Sequence, residues 1–256
     1  MDERRDKIEG DVGIRVSGGF YDKLANFWYH YKWQTIALLF TLFVIAVCTI
    51  QCAGNVHYDI QVLYAGNHAF GRTSEDGGYS EYFTTVSTLE DLCDDYDGNG
   101  EINVSFQDLY LLTQEEIAEI EKDPEANQLS YQLLQENSSM LKNNLDMSDY
   151  YVCFLSERLF RQYSEGDANL GRFAKIATYA KEGAEYDYIS EYGIRLSSLD
   201  VKDLPGISVL NAEDTIVCIR NVSAMSSMFG KAESEVQFAR GEDLLRTILS
   251  IGRAHV

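Results

Sequence analysis

The chain has 256 residues, of which 45% are hydrophobic and 12% aromatic, and this composition excludes an intrinsically disordered protein. It carries 41 acidic and 21 basic residues, which give a formal net charge of −20 at pH 7. A negative field of this kind repels the phosphates of nucleic acids and favours cations or basic partners. We therefore expect no binding to nucleic acid.

The first predicted element is an apolar helix near the N-terminus. Residues 35–50 contain no charged side chain, and the stretch from Thr35 to Ala53 is close to the roughly 20 apolar residues that span a bilayer. Aromatic side chains that favour the headgroup level precede it: Phe27, Trp28, Tyr29, Tyr31 and Trp33. A cleaved signal peptide is the alternative, but the preceding region is long and mixed in charge, and no A-x-A-like cleavage site follows.

Basic residues around this helix predict its orientation. Arg15, Lys23 and Lys32 precede the helix, whereas Arg72 stands alone in the equivalent stretch after it. We therefore predict three parts in chain order: a cytoplasmic N-terminal segment (1–33), a single-pass transmembrane helix in the cell membrane (34–53) and one extracytoplasmic domain (54–256).

The outer domain is predicted to alternate between strands and helices. Short apolar or alternating runs predict four strands, at 58–66, 101–107, 150–155 and 214–221. Helical patterns predict four helices, at 80–93, 113–122, 127–147 and 233–251, and Thr113 with Glu116 resembles a capping box that opens the second of them. This order favours an α/β domain with a mainly parallel sheet flanked by helices.

Three cysteines belong to the outer domain: Cys93, Cys153 and Cys218. An odd number gives no closed disulfide framework, and the last two lie inside apolar runs, so we expect buried free thiols. A disulfide between Cys153 and Cys218 is the alternative, because sequence alone does not fix connectivity.

Two stretches of the outer domain carry a resemblance to known proteins. "YDIQVLYAG" just outside a short-tailed anchor, with "DYYVCFLSERLF" after a long polar helix, resembles an uncharacterised group of bacterial single-pass membrane-anchored extracytoplasmic proteins. The second stretch also resembles, locally, a lobe of extracellular solute-binding proteins, where a strand ends, a Ser or Asp follows and a short helix begins. The resemblance implies a reduced solute-binding-like domain, since the outer residues are few for two lobes.

Ligand sites in parallel sheets lie beyond the carboxyl ends of the strands. In this chain those positions are Gly66-Asn67-His68, Ser156-Glu157 and Asn221. We select four of these residues as candidate ligand-binding residues: Asn67, His68, Ser156 and Glu157.

A candidate calcium loop lies in "DDYDGNGEIN", residues 94–103. In the frame of an EF-hand loop, five residues could offer oxygen ligands: Asp95, Asp97, Asn99, Glu101 through its carbonyl, and Asn103. Position 12 of that frame is Phe106 instead of a bidentate Glu, so this is not an intact EF-hand. Weak calcium binding completed by a distant carboxylate is one reading, and a sharp turn built on Asp-Gly and Asn-Gly is the other.

Two classes of function fit these observations. The first is a membrane-tethered extracytoplasmic binding or interaction module for an unknown small molecule or protein partner outside the cell. The alternative is an extracytoplasmic hydrolase with dispersed active-site residues, for which His68, Ser156 and Glu157 are the nominal candidates. Recognisable catalytic motifs such as H-E-x-x-H and G-x-S-x-G do not occur in the chain, so we favour the binding module and assign no catalytic residue.

Overall fold

The computed structural model of the chain describes residues 19–53, 57–72, 80–122, 131–166, 171–181 and 183–251. By its internal contacts the chain divides into two compact units, residues 1–56 and residues 57–256. Most of the predicted cytoplasmic segment, residues 1–18, lies outside the described residues.

The first unit contains one long helix, α1, from Phe20 to Ala53. The stretch Lys23–Thr49 is long and apolar enough to cross a membrane, and none of it is buried inside the protein. Thr41 and Thr49 of this helix donate their hydroxyls to carbonyls one turn earlier, which satisfies polar groups within the helix. The predicted apolar helix is therefore present, and it extends further towards the N-terminus than the predicted span of 34–53.

The second unit is an α/β domain. Its strands are β1 Ile60–Gly66, β2 Val104–Tyr110, β3 Val152–Ser156, β4 Tyr188–Ser190, β5 Gly193–Arg195 and β6 Thr215–Ile219. Its α-helices are α2 Glu81–Asp91, α3 Gln114–Ile120, α4 Tyr131–Met147, α5 Glu157–Ser164 and α6 Ala224–Ser250. Among the described residues, short 3₁₀ helices lie at Ile176–Tyr179, Leu196–Ser198 and Val201–Asp203.

The six strands form one mixed sheet in the order β2-β1-β3-β6-β5-β4. β1 pairs in parallel with both β2 and β3, whereas β6 runs antiparallel to β3 and to β5, and β5 runs antiparallel to β4. The predicted α/β class is confirmed, and the sheet is not purely parallel. We call the side on which β1, β2 and β3 end the carboxyl edge of the sheet, and the opposite side the amino edge.

Alternate residues of the central strand β1 pack into two hydrophobic cores. Val62 and Tyr64 belong to the core that contains residues of α2 and α6. Leu63 and Ala65 belong to the core on the other face, which contains residues of α4 and α5. Because helices cover both faces, β1 is apolar along nearly its whole length, as strands of parallel sheets usually are.

The antiparallel direction of β6 corrects one expectation about the site. Asn221 follows the carboxyl end of β6, and β6 runs opposite to β1 and β3, so Asn221 lies at the amino edge of the sheet. It is thereby separated from the residues that follow β1 and β3. A strand direction depends on its pairing partners, which no local pattern in "DTIVCIRN" records.

Several element boundaries also differ from the predicted ones. β2 begins at Val104 and not at residue 101, and α6 begins at Ala224 and not at residue 233. The predicted start of α4 at residue 127 lies outside the described residues. The capping box is confirmed: the Thr113 hydroxyl accepts from the Glu116 N–H, and the Glu116 carboxylate accepts from the Thr113 N–H.

The strand β2 forms one edge of the sheet, and side chains bind part of its free backbone. The Tyr82 hydroxyl donates to the Phe106 carbonyl at 2.8 Å, and the Asn137 amide donates to the Tyr110 carbonyl at 2.9 Å. The Asn103 carbonyl accepts from the Asp59 N–H and therefore faces β1. Because successive carbonyls of a strand point in opposite directions, those of Phe106 and Tyr110 point away from β1. Side-chain bonds of this kind reduce the capacity of an edge strand to pair with another chain.

Candidate functional site

The carboxyl ends of β1 and β3 are neighbours in the sheet. Ala65 lies beside Leu155 in the parallel register, so Asn67, which follows β1, and Ser156, the last residue of β3, lie at adjacent strand ends. From here β1 leads to α2, which packs on one face, and β3 leads to α5, which packs on the other. Adjacent strands whose connections leave over opposite faces create a crevice at their carboxyl ends. We call this place, between Asn67 and Ser156, the switch crevice.

Asn67 is held at this edge by the first turn of α3. Its side-chain amide donates to Oε1 of Glu116 at 2.6 Å, while Oε2 of Glu116 accepts from the Thr113 N–H at 2.7 Å. Burial favours the neutral form of Glu116, but these hydrogen bonds outweigh it and lower the pKa of the Glu116 carboxyl. Glu116 is therefore an ionised acceptor at neutral pH.

His68 turns towards a different helix. Its Nε2 atom lies 3.2 Å from Oε2 of Glu81, the first residue of α2, and its ring packs edge-on against Phe70 with centroids 4.8 Å apart. Its backbone N–H donates to the Tyr64 hydroxyl at 3.0 Å. Burial raises the pKa of Tyr64 to about 12, so that hydroxyl stays protonated. The side chains of Asn67 and His68 thus diverge, although the two residues are adjacent in sequence.

Ser156 and Glu157 form the link between β3 and α5. Ser156 is 8% exposed, and its hydroxyl does not cap the N-terminus of α5. The Glu157 carboxylate pairs with Arg161 at 2.7 Å and with Arg195 at 2.6 Å. Although burial opposes it, these two guanidinium groups lower the pKa of Glu157. Glu157 therefore carries a compensated charge.

Asp214 is a residue of this edge that the sequence analysis missed. It stands just before β6, and its backbone carbonyl accepts from the Glu157 N–H at 2.6 Å. Burial, and then the nearby carboxylates of Glu157 and Glu116, raise the pKa of Asp214. Only the antiparallel pairing of β6 with β3 brings this residue to the carboxyl edge, so no sequence signal near it could have revealed the site.

The candidate calcium loop has the turn geometry that its sequence predicts. The two carboxylate oxygens of Asp95 accept from the N–H groups of Gly98 at 2.7 Å and Gly100 at 2.8 Å. These hydrogen bonds lower the pKa of the Asp95 carboxyl, and the bond from Gly100 has the largest effect. Gly98 and Gly100 have φ angles of 72° and 88°, which glycine adopts without a steric penalty.

Three carboxylates meet at this loop. One oxygen each of Asp59, Asp95 and Asp97 lies within 4.8 Å of the others, and this aspartate triad could hold a metal ion. Asp95 and Asp97 were in the predicted ligand set. Of the other predicted ligands, Asn99 uses its side-chain oxygen to accept from the Glu101 N–H at 2.7 Å, and Asn103 gives its backbone N–H to Asp59 at 3.0 Å.

Asp59 is the member of the triad that the sequence analysis did not select. It is fully buried, and its carboxylate accepts backbone N–H groups from Tyr96 at 3.0 Å, Asp97 at 3.2 Å and Asn103 at 3.0 Å. Its position directly before an apolar strand was a usable signal, because charged residues are seldom fully buried without a specific partner.

Cys93, Cys153 and Cys218 of the second unit are free and buried. Cys153 and Cys218 lie directly opposite each other on β3 and β6, and the Cys218 thiol approaches the Cys153 carbonyl at 3.6 Å. Burial raises the pKa of Cys93 to about 12, which suppresses the reactive thiolate.

Comparison of the chain with protein-family models, with curated proteins and with solved structures finds no match.

Proposed function

We propose that the chain is a single-pass membrane protein whose α/β domain lies outside the cell and acts as a binding or interaction module. The helix α1 supports the tether. Large apolar side chains on α1, such as Leu38, Phe40 and Phe43, are 60%, 66% and 64% exposed. A bilayer would bury them, and their burial is favourable at about 25 cal/mol per Å².

The observation that carries the binding role is the switch crevice. It lies where β1 and β3 send their connections over opposite faces, which is the usual position of ligands in open α/β sheets. Three polar groups lie at this edge of the sheet: the Asn67 amide, the Ser156 hydroxyl and the Asp214 carboxyl. Such a mixture suits a small polar ligand or a polar segment of a partner protein.

The alternative of an extracytoplasmic hydrolase has less support. A serine nucleophile needs a base within hydrogen-bond reach, and the base must be free to accept a proton. The His68 ring is directed towards Glu81 at the start of α2, and Glu157 pairs with two arginines. Within the described part of the chain, no hydrogen bond joins Ser156 to a histidine. The polar side chains at this edge pair with one another, and these pairs hold the loops after β1 and β3 in place.

A serine-reactive fluorophosphonate probe separates the two functions. We expect the full-length protein in detergent to remain unlabelled under conditions in which a control serine hydrolase is fully labelled. Labelling that disappears in Ser156→Ala and persists in Ser139→Ala, a serine on the exposed face of α4, would establish the hydrolase and overturn the binding module. The absence of labelling is expected even if the probe reaches Ser156, because a serine without an activating base does not react.

We also propose that the aspartate triad binds calcium weakly and in a structural role. Calcium prefers carboxylate and carbonyl oxygens, and Asp59 supplies the distant carboxylate that the incomplete loop lacks. The high negative charge of the chain favours a cation at this place. A bound ion would join the start of β1 to the loop before β2, and would reduce the repulsion among three carboxylates.

A further inference from the structure

Arg220 is the largest fully buried side chain of the described residues. It stands one residue beyond β6, at the amino edge of the sheet, and its backbone N–H donates to the Tyr151 carbonyl at 2.8 Å. Its Nε atom donates to the Tyr150 carbonyl at 3.3 Å, and its guanidinium lies over the Tyr151 ring, 4.8 Å from the centroid. The outer nitrogens Nη1 and Nη2 are both buried and have no hydrogen-bond partner among the residues that the structure describes.

An uncompensated guanidinium in a protein interior is costly. Arginine does not lose its proton at accessible pH, so burial cannot neutralise it in the way that it neutralises lysine. Asp149, the acidic residue nearest in sequence to its stacking partner, accepts from the Tyr151 hydroxyl at 3.3 Å and forms no ion pair with Arg220. A buried charge normally has an anionic partner, and unpaired buried donors call for an ion or water that completes them.

We propose that Arg220 binds a small oxyanion, a carboxylate or a phosphate group, at the amino edge of the sheet. Two nitrogens of a planar guanidinium match two oxygens of such a group, and this is the strongest form of charge-assisted hydrogen bond. The Tyr151 ring fixes the guanidinium plane from one side. Phe238 of α6 packs on Tyr151 in turn, with ring centroids 5.5 Å apart, so the arginine is held by a rigid support.

The site is close to the surface although Arg220 itself is enclosed. Its neighbours Asn221 and Tyr150 are only half-buried, and the Asn221 side chain donates to the Gly171 carbonyl at the surface. The proposed anion would enter through this half-buried edge. The site is distinct from the switch crevice, because the amino and carboxyl edges are opposite ends of the same strands.

Thermal unfolding of the full-length protein in nonionic detergent tests this proposal. Sodium phosphate and sodium acetate are titrated separately against sodium chloride at equal ionic strength. We expect at least one of the two anions to raise the melting temperature along a saturating curve in the millimolar range. Arg220→Lys keeps the charge but loses the planar guanidinium, and it should weaken the binding of that anion by about tenfold. The comparison of phosphate with acetate identifies which oxyanion geometry the site accepts.

Arg220→Met provides the second arm, since it fills similar volume without a charge. Its melting temperature in chloride should equal or exceed that of the wild type, and its response to the anion should be lost. Phosphate also stabilises proteins non-specifically, but that effect does not saturate and would persist in the variant. Non-saturating curves for both anions in the wild type would overturn the proposal, even if Arg220→Met failed to fold. So would an unchanged saturable response in Arg220→Met.

Discussion

Asp59 couples the start of the central strand to the loop before β2. Its buried carboxylate accepts hydrogen bonds from three backbone N–H groups of that loop. Arg240 of α6 donates to the backbone carbonyl of the same residue at 3.0 Å. One residue thereby holds a strand, a loop and the last helix together, and a metal ion at the triad would act on an arrangement that already exists.

We predict that calcium raises the melting temperature of the protein and that Asp97→Ala abolishes this rise. With a dissociation constant near the weak end of the known range, about 10⁻⁴ to 10⁻³ M, a few-fold excess of calcium stabilises the fold by about 1 kcal/mol. Asp97→Ala should change the calcium-free melting temperature little, because Asp97 is exposed. The measurement is thermal unfolding in chelator and in several millimolar calcium.

Asp94→Ala is the matched control for this experiment. Asp94 is an exposed acidic residue of the same loop and is not part of the aspartate triad, so the variant should retain the calcium response. Equal melting temperatures of the wild type in chelator and in calcium would mean that "DDYDGNGEIN" serves only as a turn.

Asp214 gives the protein a pH dependence of defined sign. Burial is the main reason that the pKa of the Asp214 carboxyl is raised, so the folded state holds the proton more tightly than the unfolded state does. Its contribution to stability is complete below the unfolded pKa and is lost as pH rises through the folded pKa. We predict that Asp214→Asn stabilises the protein at pH 7 by about 0.5 kcal/mol, a value reduced for partial exposure to solvent, and has little effect near pH 3.

Urea unfolding at a series of pH values measures this difference. Glu213→Gln removes the same charge from the adjacent exposed residue and should change stability less at every pH. A stabilisation by Asp214→Asn that is constant across the series would show that the effect does not come from titration of this carboxyl.

At the scale of elements, the loop before β6 packs closely on α2. Gly206 has a φ angle of 82°, and a Cβ atom there would lie 2.5 Å from the Thr85 Cα atom. The Thr88 hydroxyl donates to the Pro205 carbonyl at 2.5 Å in the same contact. The contact joins residues far apart in sequence, so it fixes the loop against the first crossover helix.

We predict that Gly206→Ala destabilises the protein by about 3 kcal/mol, because the methyl group meets backbone and the residue keeps an unfavourable φ. Gly183→Ala is the control, since Gly183 has a similar φ of 80° but nothing within 4 Å of its Cβ position. That variant should lose only about 1 kcal/mol. Urea unfolding compares the two, and similar losses would show that the contact with α2 contributes nothing.

Elements with a local physical signal were predictable from sequence, and those that depend on pairing were not. β1 is apolar because both of its faces are covered, and Thr113 with Glu116 defines the start of α3 through hydrogen bonds within four residues. β4 and β5 have three residues each, too few for a periodic pattern. The direction of β6 is decided by its neighbours in the sheet.

The candidate site was predictable only in part for the same reason. Asn67 and Ser156 were selected as strand ends, and the register of β1 with β3 places them at adjacent strand ends. Adjacent residues in sequence do not share a side-chain direction, so the separation of Asn67 from His68 was not visible. Asp214 reaches its site through a contact with a distant segment, which one sequence does not reveal. The position of Asp59 before an apolar strand was a usable signal, but the loop that contacts it was not predictable.

At the scale of the whole molecule, the orientation of α1 can be measured directly. We predict that protease added to intact cells removes the outer domain, while an epitope placed at the N-terminus is protected. The physical reason is the excess of basic residues before the helix, which are retained on the cytoplasmic side. A domain that is degraded only after lysis would show that the orientation is the opposite one. Recovery of the domain without α1 would indicate a cleaved signal sequence.

The order of the strands has a consequence for biosynthesis. β1 is the first strand of the domain to be synthesised, yet it lies between β2 and β3. Its pairing with β3, for example that of Val62 with Val152, forms only after β3 has been synthesised. Until then one edge of an apolar strand lacks its partner, and contacts of such long sequence separation form slowly. A nascent or translocating chain therefore exposes β1 for the time needed to synthesise about 90 further residues. Dependence on a chaperone during that interval is the expected cost of placing the earliest strand at the centre of the sheet.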